Sequence, residues 1–251
     1  MEVVIIGTGN VATVLSKLIV AKGYTITQIV GREYNKALLI AEPIGAKAND
    51  NIALINCTAD LYIIAVTDDA IASIATQLQL GDKLVVHTAG SISKDVLKNS
   101  SINYGVMWPL QTLRKEMREI PSIPFVVDAN NEVALNVLEI FAKSLSPQCF
   151  RATDDERVKL HLAAVTVSNF TNHLFALAEH YCNNEGLDFK LLLPLINETV
   201  NRIQHHIPKN VQTGPAVRGD VETMETHLQL LNNYPSFQQI YQQLSNSIGN
   251  K

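Results

Sequence analysis

Up to residue 152 the chain alternates two apolar patterns. Val3-Val4-Ile5-Ile6 is a continuous apolar run, as expected of a strand covered on both faces of a parallel sheet. Gly7-Thr8-Gly9 interrupts it, and Val11 to Ala21 then carries apolar residues at helical spacing. Thr25 to Val30 and Tyr34 to Ala41 repeat the strand–helix pair, and Leu61 to Val66 with a helix from Asp69 to Leu78 repeat it again. Lys83 to His87, Asn103 to Met107 and Pro124 to Val127 read as strands. A helix over Glu132 to Ser144 and a strand over Gln148 to Arg151 complete the series. Strands alternating with helices predict a doubly wound, mainly parallel α/β sheet of the Rossmann type.

The pattern changes near residue 152. Thr153 and Glu156 stand at capping-box spacing with acids in the first turn, and a long helical stretch runs from there to Asn183, closed by Gly186. Further helices are expected at Lys190 to His206, Val221 to Leu231 and Ser236 to Ser247, with no strand among them. The expected organisation is an α/β domain over 1–152 and an all-helical domain over 153–251 that carries substrate binding and dimerisation. At 100° per residue, Ala163, Val167, Phe170, Leu174, Leu177, Ala178 and Tyr181 share one face of the long helix, which reads as core or dimer contact. His161, Ser168, Asn172 and Glu179 form a stripe on the other side, flanked by Asn169. The stripe reads either as a solvated face or, being poor in Lys and Arg, as the wall of a cleft.

Composition narrows the function classes. The 251 residues carry a net charge of −4 and are 47% hydrophobic, which supplies two packed cores but no basic surface for nucleic acid or anionic membrane. No apolar run approaches a membrane span. The first strand begins at Glu2, leaving no room for a signal peptide. Cys57, Cys149 and Cys182 lie far apart without CxxC spacing, which suggests a reducing, cytoplasmic setting. No metal-ligand cluster and no nucleophile–base set stands out.

Gly7-Thr8-Gly9-Asn10-Val11-Ala12 reads G-x-G-x-x-A between a strand and a helix, the context in which this motif binds a dinucleotide. Gly7 permits the turn, Gly9 admits the backbone to a pyrophosphate, and Ala12 lets the helix pack close to the sheet. Arg32 stands 20 positions after Ala12, where NAD enzymes place an acid on the ribose. An arginine fork suits a 2′-phosphate instead, so NADP is expected over NAD, with Lys36 as a helper. Val66, Thr67 and Asp68 border the cofactor by position, Asp68 reading first as the N-cap of the next helix. His87 ends a strand next to the expected nicotinamide. It reads as a satisfied strand-end histidine or as a substrate-contacting proton donor. Arg218 reads as an anion clamp or as an ion pair with Asp220, in a turn shaped by Gly214-Pro215 and Gly219. His205 and His206 read as helix-end residues facing the dipole.

Together these runs resemble a known family. Gly7-x-Gly9-x-x-Ala12, His87-Thr88-Ala89-Gly90 and Gly105 to Thr112 look like the Rossmann-like proteins with a C-terminal domain of unknown function, number 2520. Lys159 to Val165, Ser168-Asn169-Phe170 and Thr213 to Asp220 extend that resemblance into the second half. The layout is distantly similar to pyrroline-5-carboxylate reductase and the β-hydroxyacid dehydrogenases. Two departures stand out: Trp108 takes a position where many family members carry His, and Val165 stands where the dehydrogenases place a catalytic lysine before the residue matching Asn169. The resemblance implies an NADP-dependent oxidoreductase of a small polar substrate. The alternative is a non-catalytic NADP-binding sensor or scaffold. The site is expected in the crevice closed by the helical domain, with His161 as proton donor and Asn169 orienting the reacting atom. Ser168, Asn172 and Arg218 would bind substrate there, within a homodimer.

Overall fold

The computed structural model describes residues 1–249. Its sheet has the order β3-β2-β1-β4-β5-β6-β7-β8. The apolar run after Met1 forms β1 (Glu2–Ile6), followed by α1 (Asn10–Ala21), β2 (Thr25–Val30) and α2 (Tyr34–Ala41). Next come β3 (Lys47–Asn49), β4 (Leu61–Ile64), α3 (Asp68–Ala75), β5 (Leu84–His87) and β6 (Asn103–Pro109). Strands β3 to β6 pair parallel throughout. β7 (Phe125–Ala129) is antiparallel to β6, and after α4 (Glu132–Leu145) the edge strand β8 (Cys149–Arg151) lies parallel to β7. Two features were not anticipated from the pattern: the short β3, whose Lys-Ala-Asn lacks an apolar signature, and the reversal at β7.

Alternation in the central strands feeds two cores. Val3, Ile5, Ile63 and Val86 pack with Leu15 and Ile19 of α1 and Phe141 of α4. Val4, Ile6, Tyr62, Ile64 and Val85 pack on the other face with Ile71 and Ala75 of α3. A strand buried on both faces has few polar positions, which is why residues 3–6 of β1, 61–64 of β4 and 84–86 of β5 read as apolar runs. The chain reverses winding direction between β1 and β4, the switch point at which open α/β sheets hold ligands.

Compactness divides the chain at Ser168 rather than at the change of pattern near 152. The helix α5 (Asp154–Ala164) belongs with the sheet, because Ala164 packs on Val106, Trp108 and Val126 and Arg157 is fully buried. Its N-terminus is the expected capping box: Thr153 accepts from the Glu156 amide, and Glu156 accepts from the Thr153 amide. The stretch read as one long helix is interrupted by a π-helical turn over Val165–Phe170 before α6 (Thr171–Asn184). A π turn breaks the 100° phase, so the stripe from His161 to Glu179 counted on uniform spacing does not hold across it.

The second unit begins at Asn169 and contains only helices among its described residues. After α6 come α7 (Leu193–Ile203), α8 (Pro215–Arg218), α9 (Val221–Leu230) and α10 (Pro235–Gly249). The segment from Lys190 does not start as an α-helix; Phe189–Leu192 is a 3₁₀ turn that leads into α7. Between Gly214 and Gly219 the chain makes a one-turn helix, not only a turn. Gly214 has φ 114° and Gly219 closes it left-handed at φ 67°. Cys182 and Leu231 are buried, whereas α7 has no buried residue and exposes Leu193, Leu195, Val200 and Ile203. All three cysteines are free. No described helix is long and apolar enough to cross a membrane.

Candidate functional site

The glycine turn after β1 has the shape that the motif requires. Gly7 sits at φ 133°, and a Cβ there would lie 2.0 Å from the Ala65 carbonyl oxygen, so only glycine lets β1 and the end of β4 come this close. Gly9 is the N-cap of α1 and brings no side chain to the helix end; a Cβ built on it would meet open space. The α1 N-terminus therefore carries no side-chain cap, as a pyrophosphate-binding turn requires. Thr8 lies against Gly31 after β2, where a Cβ would come within 2.5 Å of the Thr8 methyl. Val11 packs against the core and Ala12 is buried in it. Asn10 Oδ1 accepts from the Lys115 amide at 3.2 Å, which brings the loop after β6 to the same helix end.

Arg32 is exposed at the end of β2, and its charge helps hold the Asp69 carboxyl below the usual range, after the hydrogen bond from Thr67. Lys36 does not join it: its ammonium is 2.6 Å from Glu33 Oε1. Nor is Asp68 the N-cap of α3. Thr67 holds that position, and Asp68 instead accepts from Ser91 Oγ at 2.7 Å, tying the loop after β4 to the loop after β5. Val66 packs against the second core.

His87 takes the role of a satisfied strand-end histidine, not of a substrate contact. It is 0% exposed, accepts at Nδ1 from the Ala89 amide at 3.2 Å, and lies with Nε2 3.3 Å from the Ser93 carbonyl. Those partners fix the neutral tautomer protonated at Nε2. Burial, helped by the Arg157 charge, pushes its pKa down to about 4.

Downstream of His87 the sheet edge and α5 meet. The Trp108 and His161 rings lie 5.6 Å apart between centroids, tilted by 53°. Both rest on Gly90, where a Cβ would fall 2.7 Å from His161 Cδ2 and 2.7 Å from Trp108 Cε2. Ser168 Oγ lies 3.0 Å from Thr112 Oγ1. One end of the sheet thus gathers Gly90, Trp108, Thr112, His161 and Ser168 beyond the carboxyl ends of β5 and β6. Trp108 and Thr112 entered the sequence reading only through the family resemblance, and Arg157 did not enter at all. Its signal was the spacing of Asp154, Arg157 and His161 at i, i+3 and i+7, one face of a capped helix.

In the second unit, Asn169 and Asn172 are exposed at the π turn and the start of α6. Arg218 is exposed on α8 and lies 3.7 Å from Asp220, the ion pair that fixes the loop. Asp220 also caps α9 by accepting from the Thr223 amide. Thr213 to Ala216 line an apolar cavity of about 200 Å³ with Leu174, Phe237 and Tyr241. His205 and His206 are exposed beyond α7.

Comparison with known proteins agrees with this layout. Residues 2–90 match a family model described as NADP oxidoreductase coenzyme F420-dependent, and residues 123–248 match the domain of unknown function DUF2520. No functionally curated protein matches the sequence. A Bacteroides fragilis protein provisionally named an NADP oxidoreductase is 37% identical, with a TM-score of 0.92 over 100% of this chain and 98% of its own. More distant structures share the fold alone. An imine reductase from Myxococcus stipitatus in complex with NADP+ has TM-score 0.67 and 14% identity, over 99% of this chain and 92% of its own. A 1-pyrroline-5-carboxylate reductase from Streptococcus pyogenes has TM-score 0.65 and 15% identity, over 100% and 99%. With one model matched over its C-terminal half and a relative of 37% identity along its full length, the chain belongs to the DUF2520 family of Rossmann-like proteins.

Proposed function

We propose that this protein is an NADP(H)-dependent oxidoreductase acting on a small polar, anionic substrate. The observation that carries the reading is the Gly7–Gly9 turn, with Gly7 at φ 133° and Gly9 at the start of α1 with no side-chain cap and open space where a Cβ would lie. Arg32 supports the choice of phosphorylated cofactor, because the residue at the end of β2 is a cation where a 2′-hydroxyl reader would be an acid. The names of the Bacteroides and Myxococcus neighbours point the same way. When bound, the cofactor supplies the hydride; the chain supplies orientation, exclusion of water and a proton.

His161 is the candidate proton donor, since His87, the other imidazole at this sheet end, is sealed in the core. Ser168 and Thr112 offer hydroxyls to a polar substrate, and the candidates contributed by the second unit are Asn169 and Asn172 as polar contacts and Arg218 as the anion partner. The active form is read as a homodimer. A helix such as α7, with four apolar residues exposed, is stable in water only when another surface covers it.

A nucleotide-binding sensor is the second reading, favoured by Val165 standing where a catalytic lysine would be. Following NADPH oxidation at 340 nm with cyclic imines, keto acids and, in reverse, hydroxy acids separates the two. Turnover that falls at least a hundredfold in His161→Ala supports the enzyme. Tight NADPH binding with no turnover on any class would select the sensor.

A further inference from the structure

Arg157 is a buried cation to which the proposed chemistry gives no part. Its side chain is fully enclosed, yet the guanidinium is spent almost entirely on one short loop. Nε donates to the Gly90 carbonyl at 3.1 Å, and Nη2 donates to the Ile92 carbonyl and to Asp154 Oδ1, the latter at 2.7 Å. Asp154, one turn earlier on α5, continues the grip: it accepts from Ser93 Oγ and, at 3.3 Å, from the Lys94 amide. Lys94 in turn reaches Asp128 at 2.8 Å. The loop from Gly90 to Lys94 is thereby held at four successive points by two side chains of α5. A third residue on the same helix face, His161, closes over Gly90.

This expenditure is hard to account for as packing. A buried guanidinium carries a desolvation penalty, and here Nη1 is left without a partner, so packing alone does not favour an arginine at this place. Two carbonyls of a loop that must otherwise find other donors are the return. The loop runs on directly from β5 at the carboxyl edge of the sheet, next to the Asp68–Ser91 tie, whereas Arg32 and Gly31 lie at the end of β2, with β1 and β4 in between.

We propose that Arg157 is a positioning residue: it fixes the Gly90–Ser93 loop against α5 at one distance from His161, and so shapes the nicotinamide end of the cofactor site but not the adenosine end. The inference rests on the nucleotide reading above. It predicts a selective effect, because the two ends of the dinucleotide are served by different loops.

The test compares two probes on the full-length protein: NADPH, and adenosine 2′,5′-bisphosphate, which keeps the 2′-phosphate but has no nicotinamide. Arg157→Met should weaken NADPH by about tenfold, through loss of the loop's position and not of a direct contact, and leave the bisphosphate within about twofold. Arg157→Lys should recover part of the NADPH loss, since an ammonium can still donate to one carbonyl and to Asp154. Retained bisphosphate binding also certifies that the variant is folded. If Arg157→Met does not fold, Asp154→Asn, which loosens the same loop from the exposed side, should show the same selectivity. Equal loss of both probes, or loss of neither, in the folded variant overturns the proposal while the nucleotide reading stands. Wild-type protein that binds neither probe overturns both.

Discussion

His87 makes a pH-dependent contribution to stability that one substitution can isolate. In the folded chain burial and the Arg157 charge hold its pKa down at about 4, against 6.5 for an exposed imidazole. A depressed histidine favours the fold while it stays neutral in both states, that is above pH 6.5. As pH falls below that value the unfolded chain takes up a proton that the folded chain refuses. Stability therefore declines with acidification between pH 6.5 and 4, and this contribution is exhausted below the folded value. The span of 2.5 pH units, at about 1.36 kcal/mol each, amounts to about 3 kcal/mol, a large part of a typical domain's stability. Asp154, Glu139 and Glu156 are depressed carboxyls, so their contributions are lost as pH falls through and below the ordinary carboxylate range. They are common to any pair of variants and cancel in a difference. The experiment is urea unfolding of wild type and His87→Gln from pH 7.5 to 4, glutamine being able to accept from Ala89 and donate to Ser93 without titrating. The wild type should lose about 3 kcal/mol more than the variant over that interval. Parallel stability curves would refute the burial argument, and a wild type that gains stability on acidification would reverse its sign.

Three further outcomes follow from the geometry. Arg32→Asp should weaken NADP binding by roughly tenfold to 150-fold and NAD binding far less, and equal losses in calorimetry would remove the 2′-phosphate assignment. Gly90→Ala drives a methyl to 2.7 Å from both Trp108 and His161. It should cost about 1–3 kcal/mol in denaturant unfolding and shift the emission of Trp108, the only tryptophan in the chain, whereas unchanged emission would refute the contact of the two rings at Gly90. Light scattering at micromolar concentration should give twice the 27.6 kDa chain mass, and paired charges at Leu195 and Ile203 of α7 should return the monomer; a monomeric wild type would remove the dimer reading.

Much of the architecture could be read from the residues because burial on both sheet faces writes itself as apolar runs. β1, β4 and β5 are such runs, and the G-x-G-x-x-A turn between β1 and α1 locates the nucleotide end without further help. The short β3 was invisible, since its Lys-Ala-Asn owes its place to pairing with β2 and not to its own preference. The site was legible only in part. His161 and Ser168 were found as polar positions on a helix, but the partners that place them, Trp108 and Thr112, come from a different strand and its loop. Pairings between elements that distant carry no local pattern. Arg157 was missed for a simpler reason: an arginine near a helix start reads as solvated, and its shared face with Asp154 and His161 does not by itself tell of the loop carbonyls that enclose it.

The π-helical turn over Val165–Phe170 works as an angular offset written into the chain. It contains one residue more than an α-helix would use to make the same advance. A helical count carried from α5 at 100° per residue therefore does not give the faces of α6. Deleting a single residue from that turn would leave its composition almost unchanged, yet shift the helical phase of all of Thr171–Asn184 by one position. For this protein a one-residue deletion there should be far more damaging than most substitutions of the same residues, because it moves the register of fourteen side chains at once and the identity of none of them.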